Sequence, residues 1–166
     1  MNILFVCSAN ISRSFLAKVL FEDEMRRRGK NTVSAASAGL HAYPGAPPDP
    51  KMTAFLIAKG VPWEPHRARR ISREDMEKAD LILVMEGVQE RLLKECFPEA
   101  EIKIMRLGRF ISPDGREDDI IDPFGKSTYH YRLAQSQITL AVKNLCEELA
   151  SGRLPHPDAH NKNHSG

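Results

Sequence analysis

Cysteine is scarce: the 166 residues hold three, Cys7, Cys96 and Cys146, and no metal-ligand spacing. An odd count so arranged excludes a disulfide framework and a cysteine zinc site as organising devices, and no metal or cofactor is expected. Cys96 and Cys146 fall inside helical patterns and read as core or half-buried residues, the common state of free thiols. Excess charge is equally small. A formal net charge of +2 gives no footing for nucleic-acid binding, and the cluster Arg26-Arg27-Arg28 stands where a helix C-terminus favours cations. No stretch approaches the ~20 apolar residues of a membrane span, and no basic segment leads into an apolar core and cleavage site, so a cytoplasmic protein without membrane association is expected. Internal repeats are absent too. With 42% hydrophobic and 28% charged residues, the chain suits one domain over residues 1–150, followed by a polar tail, 151–166, that reads as disordered.

Chemistry gathers at the other end. The apolar run Ile3-Leu4-Phe5-Val6 lacks helical period and is rich in branched and aromatic residues, the mark of a buried strand. It breaks into Cys7-Ser8-Ala9-Asn10-Ile11-Ser12-Arg13-Ser14, and a helical pattern follows. A loop from strand to helix N-terminus offers converging backbone N–H groups and a positive dipole, an anion site by construction. Five residues separate Cys7 from Arg13. That spacing lets the loop curl round a tetrahedral oxyanion, its amides from Ser8 to Ser12 and the Arg13 fork gripping the oxygens with a thiol beneath the central atom. A cysteine beside a helix N-terminus and a cation ionises readily, which suits nucleophilic attack on phosphorus. Ser14 is placed to hydrogen-bond the sulfur and ease its departure in a two-step covalent route.

Cys7, Asn10, Arg13 and Ser14 resemble the signature of the low-molecular-weight protein tyrosine phosphatases, Cys-x-Gly-Asn-x-Cys-Arg-Ser. Ala9 stands for the Gly, Ser12 for the second Cys, and Phe15 for the Pro that usually follows. A Cβ at Ala9 is strained if the loop demands positive φ there. The resemblance implies a three-layer α/β/α sandwich around a four-stranded parallel sheet, order 2-1-3-4, with a phosphate-binding loop after strand 1. It also implies that Ser37, in Ser37-Ala38-Gly39, joins a hydrogen-bond network beneath the loop, that His66 bonds Asn10, and that Tyr43, in the shaped loop Leu40 to Asp49, flanks the substrate ring.

The remaining pattern fits that architecture. A first helix runs to about Arg28, a second strand from Thr32 to Ala36 ends at Ser37-Ala38-Gly39, and Asp49-Pro50 opens a helix whose buried face reads as Ala54, Ile57 and Ala58. Ser72-x-x-Asp75 is a capping-box variant. Asp80 to Met85 reads as a third strand, Val88, Leu92, Leu93 and Cys96 as a helix, and Ile102 to Met105 as a fourth strand. The basic run Arg67-Ala68-Arg69-Arg70 reads as a solvated face, part of which could attract an acidic substrate peptide. Thr128 to Ala150 forms a long final helix, and in the tail His156, His160 and His164 have no scaffold that would make a metal site.

Phosphoryl transfer to cysteine requires an acid for the leaving group and a base for water, and one carboxyl serves both. In the family the Asp of an Asp-Pro-Tyr/Phe segment does so. Asp122-Pro123-Phe124 matches, making Asp122 the third catalytic residue and Phe124 a wall of the pocket. The expected activity is metal-free hydrolysis of phosphotyrosine through a phosphocysteine, on a phosphorylated protein, with a bacterial tyrosine kinase as a candidate partner. Protein arginine phosphatase is the alternative, since Asp122-Pro123-Phe124-Gly125 followed by Ser127 looks like that bacterial branch. There, however, a Thr holds the position of Ile11, and an isoleucine favours an aryl group. A thioredoxin-linked arsenate reductase would need further cysteines near Cys7, and a non-catalytic phosphate-binding module would bind without turnover.

Overall fold

A computed structural model describes residues 1–153; the tail from 154 onward, with His156, His160 and His164, lies outside the described residues. Four strands, β1 (Asn2–Cys7), β2 (Ser34–Gly39), β3 (Leu81–Val84) and β4 (Ile104–Arg106), form one parallel sheet in the order β2-β1-β3-β4. Among the described residues five α-helices surround it: α1 (Arg13–Arg27), α2 (Pro50–Lys59), α3 (Arg73–Lys78), α4 (Gly87–Cys96) and α5 (Thr128–Ala150). The layers follow from period two. Ile3, Phe5, Cys7, Leu81, Leu83 and Met85 join one core with α1, α2 and α5, while Leu4, Val6, Ile82 and Val84 join another with Met76 of α3 and Leu93 of α4. The expected sandwich and strand order are therefore present. Among the described residues no helix is long and apolar enough to cross a membrane.

Several local expectations are corrected. β2 starts at Ser34, later than Thr32, and its extension through the expected Ser37-Ala38-Gly39 end pairs with β1 as far as Cys7. That extension delivers Gly39 against the loop, where an added Cβ would lie 2.7 Å from the Ser8 carbonyl and 3.0 Å from the Asn10 nitrogen. The fourth strand is displaced: Pro98–Lys103 forms a 3₁₀ helix that Pro98 initiates, leaving Ile102 exposed and β4 only three residues long. In α2 the buried residues are Met52 and Leu56, and Ala54, Ile57 and Ala58 face outward. Cys96 ends α4 exposed rather than in the core, whereas Cys146 of α5 is buried. Burial pushes the Cys146 thiol up to about 12, so it stays protonated and inert.

The helix termini are well specified. Asp49 caps α2, accepting the Lys51 N–H at 3.0 Å, and Ser72 with Asp75 forms a reciprocal capping box on α3. At the end of α1, Arg26 and Arg27 both bind the buried Asp23, and Arg28 pairs with Glu24.

Candidate active site

β1 delivers Cys7 to the carboxyl edge of the sheet, and Arg13 opens α1, so the Ser8–Ser12 loop is bounded by two rigid elements. Asn10 is its keystone. It is fully buried and the only non-glycine described residue with positive φ, at 56°. Asparagine tolerates that conformation, and here each of its polar groups finds a partner. Its backbone N–H points to Cys7 Sγ at 3.3 Å, and its side-chain amide donates to Ser14 Oγ at 2.9 Å and Ser37 Oγ at 3.0 Å. Its side-chain oxygen accepts the Arg69 N–H at 3.1 Å, and its carbonyl accepts from His66 Nε2 at 2.6 Å. Ala9 escapes strain because the left-handed turn falls one residue later, and its side chain is exposed.

That carbonyl bond fixes His66 as the Nε2–H tautomer. Burial lowers its basicity first, with the nearby Lys18 charge adding and the Asn10 carbonyl opposing, so the imidazole titrates below its ordinary range. Phe15, in place of the usual proline, packs its ring on the His66 ring at 4.7 Å between centroids and is itself buried. An apolar lock on the histidine thus replaces a rigid backbone.

Ser14 Oγ lies 3.0 Å from Cys7 Sγ. Since that oxygen already accepts from the Asn10 amide, its proton is free to point at the sulfur, which then accepts from both the Ser14 hydroxyl and the Asn10 N–H. Arg13 is 2% exposed; it donates to the Ile120 carbonyl at 2.8 Å and to Glu86 at 3.3 Å, with Asp122 3.8 Å away. These contacts on Nη1 and Nη2 hold the guanidinium in one orientation. Asp122 is 48% exposed and its Oδ1 accepts the Phe124 N–H at 3.2 Å, a turn that fixes the carboxyl relative to the ring after it.

Of the residues named from the sequence, Cys7, Asn10, Ser14, Ser37 and His66 are thus linked in one hydrogen-bond network, while Arg13 and Asp122 meet in a second set of contacts that the loop backbone joins to the first. Ser8 joins them by accepting from Gln89 at 3.3 Å, and Ile11 is half-buried at the loop. Phe124 and Tyr43 stand 60% and 81% exposed, and among the described residues the Tyr43 side chain has no hydrogen-bond or ring partner. Ser12 is buried and wired away from the thiol: its hydroxyl donates to Asp49, which also accepts the Tyr131 hydroxyl at 2.6 Å. Burial, with the Asp49 carboxylate adding, raises the Tyr131 hydroxyl well above its usual ionisation range.

Sequence reasoning missed Asp49 beyond its capping role, and it missed Tyr131, Glu86, Gln89 and Gln137. Glu86 and Gln89 form a capping box, Glu-x-x-Gln, that a wider search for the motif would have flagged. Gln137 carried no signal: its side chain accepts the Ile121 N–H at 3.0 Å and donates to the Asp119 carbonyl at 3.3 Å, across 16 and 18 residues of sequence. Cys96, at the far end of a ten-residue helix that starts beside Arg13, is ~15 Å of helix away from the site, and Cys146 sits in the core; neither is placed to relay a disulfide.

The family model described as low molecular weight phosphotyrosine protein phosphatase matches residues 2–153. A protein-arginine-phosphatase of Bacillus subtilis is 30% identical over 153 residues, covering 92% of this chain and 99% of its own. A probable low molecular weight protein-tyrosine-phosphatase of Ralstonia nicotianae is 33% identical, covering 85% and 90%. Among solved structures, a low molecular weight protein tyrosine phosphatase from T. tengcongensis superposes with a TM-score of 0.81 at 32% identity, covering 89% of this chain and 99% of that one. The chain belongs to the low molecular weight phosphotyrosine protein phosphatase family.

Proposed function

We propose that the protein hydrolyses aryl phosphates on phosphorylated proteins, phosphotyrosine foremost, through a phosphocysteine. Cys7 Sγ attacks phosphorus while the loop amides and the Arg13 fork bind the non-bridging oxygens. The P–O bond to the phenol breaks, and Asp122 gives that oxygen its proton. The resulting carboxylate then takes a proton from water, which attacks the phosphocysteine; the P–S bond breaks, and the Ser14 hydroxyl receives the departing sulfur with its hydrogen bond. One observation carries the reading: the thiol, bonded by Asn10 N–H and Ser14, shares a loop with a buried Arg13 that lies 3.8 Å from Asp122. The three unpaired cysteines favour a reducing compartment, so we place the activity in the cytoplasm, with a bacterial tyrosine kinase as the candidate phosphoprotein.

Phosphoarginine is the second reading, favoured by relatives of that name that align over 92% and 89% of the chain. Against it stands Ile11, half-buried at the loop. An isoleucine there offers apolar contact to a phenyl ring and leaves a guanidinium's N–H groups unpaired, which typically costs ~1–3 kcal/mol each. The test is phosphate release from phosphotyrosine, phosphoserine and phosphoarginine side by side, with vanadate as inhibitor. Phosphotyrosine should be hydrolysed fastest, and Cys7→Ser should abolish turnover while retaining oxyanion binding. Faster release from phosphoarginine would reverse the substrate order, and residual activity above a tenth in Cys7→Ser would end the covalent mechanism.

A further inference from the structure

A groove of about 530 Å³ runs between α2 and α5, lined by Phe55, Lys59, Arg132, Gln135, Thr139 and Lys143 among others. Three of its residues are cations, and no carboxylate lines it. Among the described residues none of these cations makes an ion pair with a carboxylate; Lys59 only covers the Phe55 ring at 5.2 Å. The contrast with the cations near the loop is clear. Arg69 is paired with Asp75 at 2.8 Å and Arg70 donates to the Ala42 carbonyl, so two of the three arginines in the segment expected to draw acidic peptides are already occupied.

The two helices that line the groove both start beside the active site. α2 begins at Asp49, which accepts from Ser12 of the loop, and α5 begins six residues after Asp122, with Tyr131 bonded to the same Asp49. Arg132 follows Tyr131 directly. From Arg132 to Lys143 the helix advances ~16 Å, the length of about five residues of extended peptide.

We propose that this groove is an accessory substrate site, holding an acidic stretch of the phosphoprotein about three to eight residues from the phosphorylated side chain. The proposal rests on the phosphatase reading and adds the choice of substrate to it. Carboxylates would meet Arg132, Lys59 and Lys143, with Phe55 offering apolar contact to the stem of the chain.

The test uses Cys7→Ser protein and fluorescent phosphotyrosine peptides with glutamate, or glutamine, three to eight positions from the phosphotyrosine on both sides. Fluorescence anisotropy at low salt should show the glutamate peptide binding roughly tenfold tighter, as expected for three exposed ion pairs, with the advantage shrinking as salt rises. Adding Lys59→Glu and Lys143→Glu should erase the preference, and Arg132→Gln should reduce it about threefold. Equal affinity for the two peptides, or a preference that survives the double charge reversal, would overturn the groove. In otherwise wild-type protein the same charge reversals should leave p-nitrophenyl phosphate turnover unchanged. Failure of wild-type protein to turn over p-nitrophenyl phosphate would instead strike the phosphatase reading.

Discussion

Replacing Gln137 by alanine should disable Asp122 without touching it. The Gln137 side chain holds the two ends of a short segment, bonding Ile121 N–H at 3.0 Å and the Asp119 carbonyl at 3.3 Å. Between them lies Ile120, whose N–H binds the Met85 carbonyl and whose own carbonyl receives Arg13. Asp122 is the next residue along. Two hydrogen bonds lost, one of them on the exposed Asp119, amount to about 1–2 kcal/mol. For a domain of this size that lowers Tm by roughly 2–8 °C. The kinetic effect should be selective. If loosening the segment costs ~1.4 kcal/mol in delivering the acid, kcat/KM on a poor leaving group falls about tenfold, while a nitrophenolate, which leaves without a proton, loses roughly twofold. A series of aryl phosphates of graded leaving-group acidity measures this directly, since kcat/KM reports the step that breaks the P–O bond. Gln137→Glu keeps the acceptor for Ile121 and loses the donor to Asp119, so it should fall between wild type and alanine. A uniform loss across the series, or a lower Tm with unchanged kinetics, would refute the clamp.

Asp122→Ala should cost ~10²–10⁴-fold on poor leaving groups and less on good ones, and equal loss on both would remove Asp122 as the acid. His66 should make stability pH-dependent: its folded-state affinity for protons is depressed, so its contribution is complete above ~6.5 and declines as pH falls through the folded value. The urea midpoint should therefore drop below pH ~6.5, and His66→Gln should flatten that slope; an unchanged slope would show that other groups cause it. Peroxide should inactivate the enzyme in a way thiols reverse poorly, because Ser12 cannot trap a sulfenic acid on Cys7 as a disulfide; full recovery with dithiothreitol after prolonged peroxide would reveal another protective route. Gly108→Ala should destabilise the fold by about 3 kcal/mol, since its Cβ would lie 1.7 Å from the Asp118 carbonyl oxygen; wild-type urea stability would show that the close approach of Gly108 and Asp118 is dispensable.

The sequence by itself determined the alternation of strands and helices, the two-faced burial of β1, and the pairing of a thiol with an arginine in one strand-to-helix loop. These are local properties, carried by side-chain period and by residues seven or fewer apart. Tertiary structure decided the rest. The positive φ falls on Asn10 rather than Ala9 because Asn10 receives His66 and Arg69 from 56 and 59 residues away. Arg13 takes its orientation from a carbonyl 107 residues distant, and the Asp122 segment from a glutamine on α5. The buried face of α2 fell to Met52 and Leu56 rather than to Ile57, because on a short apolar helix the neighbour, not the composition, selects the face. A pattern of residues records which groups need partners. Only the packed chain, through contacts that span most of its length, records which partners they find.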